Sequence, residues 1–208
     1  GIEAIRMGGG RDFRVENNVF VDAGPPVHID ARGIKSQKVS RTKGTIYKRL
    51  VAMPYKQAPW SERYPELVDV LEDHPGWPRD NKVIRNIMVF NDVLYDFKLI
   101  CPETTEVDYN VLWRRCEEID VSGTLIGKKG GGQMPFARWR ELGYDANSVV
   151  ADPKFVDADA DDFRLQKDSP ALKVGFRPIP IEKIGLYKSE SRASWPPPAA
   201  TDKMEERE

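Results

Sequence analysis

The sequence predicts an all-β chain: a solenoid of short parallel strands, interrupted by one long and partly helical insertion. Three observations predict it. The stretch "RVENNVFVDA" (14–23) is echoed by "VIRNIMVFND" (83–92), and "DYNVLW" (108–113) repeats the theme, so that Asn18, Asn86 and Asn110 fall on one position. The offsets are 68 and 24 residues, and 68 is one period of about 22 plus an interruption of about 46. Residues 34–80 lack the strand pattern and supply that interruption. Finally, "VHIDARG" (27–33) alternates apolar and polar residues up to a glycine, which in a strand sends Val27, Ile29 and Ala31 to one face and His28, Asp30 and Arg32 to the other.

A β-strand repeat at just over twenty residues is the pattern of a three-strand coil, the unit of a parallel β-helix. Coils stack about 4.8 Å apart, so equivalent residues form ladders along the axis. The three Asn residues are expected to form one such ladder, with a structural role. Shifting "VHIDA" by 68 lands on "YDFKL" (95–99), and a further 24 lands on "IDVSG" (119–123). The predicted inward columns are Val27/Tyr95/Ile119, Ile29/Phe97/Val121 and Ala31/Leu99/Gly123, all apolar or small as a core requires. A step back of about 22 residues, the period of the repeat, puts Ile5 and Met7 inward and Arg6 and Gly8 outward. The outward face then carries Arg6, His28, Asp30, Arg32, Asp96, Lys98, Asp120 and Ser122.

That row holds the candidate catalytic residues Asp30, Asp96, Asp120 and His28, with Arg6, Arg32 and Lys98 as substrate-binding cations. Neighbouring strands place side chains about 5 Å apart and i, i+2 neighbours about 7 Å apart, spacings that match the paired carboxylates of glycosidases. Asp30, beside Lys98 and Arg32, is expected to be ionised. Asp96, between Asp120 and His28, is the expected general acid, because a like charge raises a carboxyl pKa. Mixed charge on an exposed strand face is equally what a plain solvated sheet carries, its ion pairs each contributing at most about 1 kcal/mol. No second His or Cys lies at ligand spacing, so neither a metal nor another cofactor is expected.

The insertion leaves the repeat just after Gly33. Its first part, "KSQKVSRTKGTIYKRL" (35–50), is basic. A short helix is expected over about 65–73, with Pro65 at its first position, Leu67, Val68 and Leu71 on one face, and His74 capping its end. Trp60 and Tyr64 are candidates for stacking on sugar rings, with Arg63 for a sugar carboxylate, since long excursions from a rigid scaffold often carry binding residues. The plainer alternative is that these aromatics pin the excursion to the scaffold, and it applies most to Trp77. The runs "GGG" (8–10) and "GKKGGG" (127–132) lack the Gly-Lys-Ser/Thr of a phosphate loop and read as turns.

Composition narrows the partners. With 32 basic and 33 acidic residues among 208, the chain has no electrostatic footprint for nucleic acid. No apolar run approaches a membrane span. A polysaccharide or oligosaccharide is the expected partner. The start "GIEAIRMGGG" carries no leader pattern and enters in mid-repeat, so upstream coils of the same parent chain are a further expected partner. Cys101 and Cys116 are too few for a disulfide framework. They read as separate buried thiols, or as one bridge in an exported parent.

From residue 139 onward, "ANSVVADPKFVD", "DFRLQKDSPAL", "VGF" and "IGLY" resemble the last coils and cap of bacterial right-handed parallel β-helix proteins of the pectate-lyase-like superfamily, a group associated with polysaccharide breakdown. "NNVFVDAGPPVHIDARG" and "RYPEL" match its style, so the likeness spans the chain to about Trp195. The resemblance implies a right-handed parallel β-helix, expected over 1–187 around the insertion 34–80, and the Pro-rich, then charged tail over 188–208 is expected to be loosely ordered beyond 195. It implies an extracellular or periplasmic setting. The matched residues are structural: Pro153 in a turn, Phe155, Val156, Phe163 and Leu165 in the core, and Ser169-Pro170 at a turn. Members include glycoside hydrolases, lyases, epimerases and proteins without activity. The expectation is therefore a glycoside hydrolase working through aspartates on the outer sheet face. The alternatives are a lyase or epimerase on uronates, using Lys98 with Arg32 or Arg6, and a non-catalytic carbohydrate-binding β-helix.

Overall fold

Strands of two to six residues, several bounded by left-handed turns, set the architecture. The structure is a computed structural model that describes residues 3–35, 44–115, 118–127 and 131–184. The chain divides into two units, Gly1–Pro178 and Ile179–Glu208; the described part of the second holds a single 3₁₀ turn, Ile181–Lys183. In the first unit the early strands are β1 (Ile5–Gly8), β2 (Arg14–Glu16), β3 (Val19–Ala23) and β4 (Val27–Asp30). After the insertion come β5 (Lys82–Ile84), β6 (Ile87–Phe90), β7 (Tyr95–Ile100), β8 (Glu106–Asp108), β9 (Val111–Trp113) and β10 (Asp120–Leu125). The last are β11 (Gly131–Pro135), β12 (Val149–Val150), β13 (Phe155–Asp157) and β14 (Asp162–Leu165).

Parallel pairing sorts these into three sheets, ordered β1-β4-β7-β10, β2-β5-β8 and β3-β6-β9-β12. β11 extends the first sheet antiparallel to β10, and β13 pairs antiparallel with β14. The 68-residue offset holds residue for residue: Val27 pairs with Tyr95, His28 with Asp96, Ile29 with Phe97 and Asp30 with Lys98. The step back also holds, with Ile5 on Val27 and Arg6 on His28. Met7, Val27, Ile29, Tyr95, Phe97 and Val121 are buried in one core with Leu94, Leu112 and Trp139.

The all-β solenoid expectation is overturned. The chain is mixed α/β, 17% helical, with separate parallel sheets and antiparallel strands beside them. Its helices are α1 (Thr45–Val51), α2 (Trp60–Arg63), α3 (Phe136–Glu141) and α4 (Pro170–Lys173). The strand period also lapses. The position after Asn110 is filled by Ser148, 38 residues on, whose Oγ accepts from the Asn110 amide. The intervening chain is spent on β11 and on α3, which seats the fully buried Trp139.

The insertion departs from expectation as well. Helix α1 forms in the basic part, where none was expected. The helix expected over 65–73 is reduced to a 3₁₀ turn, Pro65–Leu67. Tyr64, at φ −137°, breaks the chain between that turn and α2. His74 caps no helix; it takes a left-handed φ of 46° and packs its ring 4.7 Å from that of Trp77. The excursion closes where it opened. A Cβ on Gly33 would lie 2.5 Å from the Gly76 carbonyl oxygen, so only glycine lets the two backbones meet.

The Asn ladder is built as expected. Asn86 Oδ1 accepts from the Asn18 backbone (3.1 Å) and side chain (3.0 Å), and Asn110 Oδ1 accepts from the same two groups of Asn86 (2.9 and 3.1 Å). The residue before each Asn (Asn17, Arg85 and Tyr109) has φ of 60°, 53° and 57°. Three equivalent left-handed turns are thus braced by one amide column, which offsets the strain those non-glycine residues carry. Cys101 is buried and free. Cys116, residues 128–130 of the glycine run and the 188–208 tail lie outside the described residues.

Candidate functional site

The outward face of β1, β4, β7 and β10 gathers charged side chains around one histidine. His28 is 3% exposed. Its Nδ1 lies 2.8 Å from Asp96 Oδ2 on β7, and its Nε2 lies 3.2 Å from Asp30 Oδ2 on its own strand. Parallel pairing of His28 with Asp96 and the two-residue strand repeat to Asp30 produce both contacts. Glu3, just before β1, comes within 3.7 Å of Nδ1 through Oε1.

Each carboxylate is backed by a cation. Arg32 donates to Asp30 from its backbone N (2.9 Å), from Nε (2.9 Å) and from Nη2 (2.6 Å). The hydrogen bonds from the Arg32 side chain, reinforced by its backbone N–H and by His28, hold Asp30 well below the usual carboxylate range. Arg6 Nη2 meets Glu3 Oε1 at 2.5 Å, and this bond pushes the Glu3 carboxyl down to about 2. Lys98 Nζ sits 2.8 Å from Asp96 Oδ2. Gly8 makes room for this arrangement: a Cβ there would lie 2.6 Å from Arg32 Cζ, so the guanidinium lies across a bare backbone.

Most of the predicted row is assembled, with two changes. Strands β7 and β10 are offset by two residues from the predicted register: Asp96 pairs with Ser122, Phe97 with Gly123 and Lys98 with Thr124. A shift of two keeps every side chain on its face, so the core pattern survives it. The cause is Trp139, whose Cζ3 would stand 3.1 Å from a Cβ on Gly123 and whose ring lies 5.8 Å from that of Phe97. A bare glycine opposite Phe97 thus leaves the indole room that a Cβ would crowd.

Asp120 is consequently carried away from Asp96 to accept from Gln133 Nε2 (3.2 Å), and Ser122 Oγ takes its place at 3.5 Å. The second change is Lys98, which reaches Asp96 on its own strand rather than Asp30 across the pair. Asp96 therefore has the Lys98 ammonium beside it, and its carboxylate neighbour is Glu3, within 4.8 Å, in place of the predicted Asp120.

Trp60, Arg63 and Tyr64 form a separate exposed group. The Trp60 and Tyr64 rings stack at 6.2 Å, and the Arg63 guanidinium lies 5.7 Å above the Tyr64 ring. No hydrogen bond or ion pair among the described residues ties them to the charged row. Glu3 was missed by sequence reasoning because it precedes the strand pattern; "EAIRMG" held its only signal, an acid three residues before Arg6. With it, Glu3, His28 and Asp96 place three potential metal-ligand atoms within 4.8 Å of one another.

Among the described residues no helix is long and apolar enough to cross a membrane. Comparison with known protein families, curated proteins and solved structures gives no match.

Proposed function

We propose that the outward face of the β1-β4-β7-β10 sheet recognises an acidic polysaccharide, with uronate residues as the recognised units. One observation carries this reading: the face turns its cations to solvent and its carboxylates inward. The Arg6, Arg32 and Lys98 side chains are 53%, 35% and 56% exposed, whereas Glu3, Asp30 and Asp96 are 18%, 16% and 17% exposed. An approaching polymer meets guanidinium and ammonium groups first, and guanidinium is suited to two-point pairing with a sugar carboxylate.

The two-aspartate hydrolase is the weaker reading. Asp30 and Asp96 are diagonal neighbours about 7 Å apart at the backbone, a spacing inverting glycosidases use. The His28 ring fills the gap where their water would sit. Elimination on a uronate, in which Arg6 or Arg32 would neutralise the sugar carboxylate, agrees better with the outward cations.

The test is retention of the 208-residue chain on polygalacturonate and alginate against a neutral glucan, with unsaturated-uronate absorbance and reducing ends followed in parallel. Retention on the acidic polymers alone, reduced at least tenfold by Lys98→Ala combined with Arg6→Ala, is expected. Equal retention on the neutral polymer, or indifference to both substitutions, would overturn the reading.

A further inference from the structure

Two carboxylates crowd one nitrogen of the buried His28 ring, which points to a second ligand. Asp30 faces Nε2, whereas Asp96 and Glu3 both face Nδ1. A ring nitrogen carries at most one hydrogen in any protonation state, so the two oxygens at Nδ1 exceed what it can satisfy. We infer that Glu3 Oε1, His28 Nδ1 and Asp96 Oδ2 form a site for a divalent transition-metal ion, zinc being the best match to one nitrogen and two carboxylate donors. The inference does not depend on the polysaccharide reading.

The geometry suits such an ion. Zinc bonds to nitrogen and oxygen of about 2.0–2.2 Å put tetrahedral neighbours about 3.4 Å apart. The observed separations from Nδ1, 2.8 Å to Asp96 and 3.7 Å to Glu3, bracket that distance. The outer partner is also in place. A ligating histidine donates its other N–H to a carboxylate that fixes the tautomer and ring orientation. Asp30 stands at Nε2 and is itself clamped by three donors of Arg32. With metal at Nδ1, Nε2–H donates to Asp30 and every contact of the ring is satisfied.

The same two oxygens that would bind metal now hold cations: Arg6 Nη2 on Glu3 Oε1 and Lys98 Nζ on Asp96 Oδ2. Both end long, more than half-exposed side chains that can swing outward. The ion therefore competes with two tethered cations, and removing one of them should strengthen metal binding. A purely structural ion-pair cluster would not behave in that way.

The test titrates the chelator-stripped 208-residue chain with Zn²⁺ by calorimetry and with Co²⁺ by visible absorption, using Mg²⁺ and Ca²⁺ as controls. One Co²⁺ per chain with the intense bands of a low-coordinate site, displaced by one Zn²⁺, is expected. Glu3→Gln, on a partly exposed side chain before the first strand, and Asp30→Asn should each weaken Zn²⁺ at least tenfold. Lys98→Met should tighten it severalfold. Absence of saturable Zn²⁺ binding, unchanged affinity in Glu3→Gln, or binding of Ca²⁺ as tight as Zn²⁺ would overturn the inference. Retention on polygalacturonate, measured in chelator, fails or succeeds separately and bears only on the polysaccharide reading.

Discussion

Two polar columns cross the parallel sheets, and they are built on opposite terms. The Asn ladder runs Asn18–Asn86–Asn110 inside the fold, with Asn86 and Asn110 completely buried. Each amide carries both donors and an acceptor, so every rung passes its N–H groups to the next carbonyl and the column closes on itself. It needs only a pure acceptor at its end, and Asp145 supplies one, accepting from Asn110 Nδ2 (3.2 Å), Ser148 Oγ and Trp139 Nε1 (2.9 Å). The charged groups around His28, in contrast, only donate or only accept, Ser122 being the one hydroxyl beside them. Such groups must alternate to be satisfied, and the alternation here leaves the donors outermost. Stacking polar side chains on parallel strands thus yields a self-contained brace when the groups are amides. It yields a surface that faces solvent with one sign when they are ions.

The difference should appear first in stability. Asn86 donates from Nδ2 to the Val15 and Ile84 carbonyls and to Asn110 Oδ1, while its Oδ1 serves Asn18. Asn86→Ala strands several buried groups at once, and a loss of about 3–5 kcal/mol is expected. Asn18→Ala, at the partly exposed end, should cost about 1 kcal/mol. Urea titration of both variants measures the contrast. Equal losses would mean that the ladder is not a single connected network.

The ladder's terminator supplies a pH signature. Burial pushes Asp145 up to about 6, against the hydrogen bonds from Ser148, Trp139 and Asn110 that favour its ionised form. Because the folded-state value lies above the ordinary value near 4, the folded chain binds this proton more tightly than the unfolded chain. The stabilisation is complete below about pH 4 and is lost as pH rises through about 6. The stability of the wild type, measured against that of Asp145→Asn, should therefore fall by roughly 2–3 kcal/mol between pH 4 and 7 and then level off. Denaturation across that range tests it; a difference independent of pH would place the proton elsewhere.

The two columns were not equally legible. The 68-residue offset could be read because two independent patterns share it, the amide of Asn18/Asn86 and the alternation of "VHID" with "YDFK". The next offset, 24 residues, holds for Asn86/Asn110 and for the β5/β8 and β6/β9 pairs, and slips by two only between β7 and β10, where Trp139 favours a bare glycine opposite Phe97. Local strand patterns carry no trace of that demand. Glu3 was hidden for a similar reason, since its role comes from chain direction before β1 rather than from a strand position. The helices escaped because α1 arises in a basic, unpatterned stretch and α3 exists to seat one indole. The all-β expectation extrapolated a period that the chain keeps only as far as Asn110.

The smallest effect is the sharpest probe of the comparison. Lys98 is more than half exposed, so its bond to Asp96 is screened by water and its removal should cost at most about 1 kcal/mol. Removing it also leaves Asp96 with His28 and Ser122 as partners, so no buried group is stranded. Lys98→Ala should thus be nearly silent in urea titration while reducing retention on acidic polysaccharide severalfold, an effect that fades as salt is raised. The equivalent truncation in the Asn ladder should be severe in urea and indifferent to salt. A Lys98→Ala loss above about 2 kcal/mol would show that the charged row braces the sheet as the amides do, and its outward cations would then need no ligand to explain them.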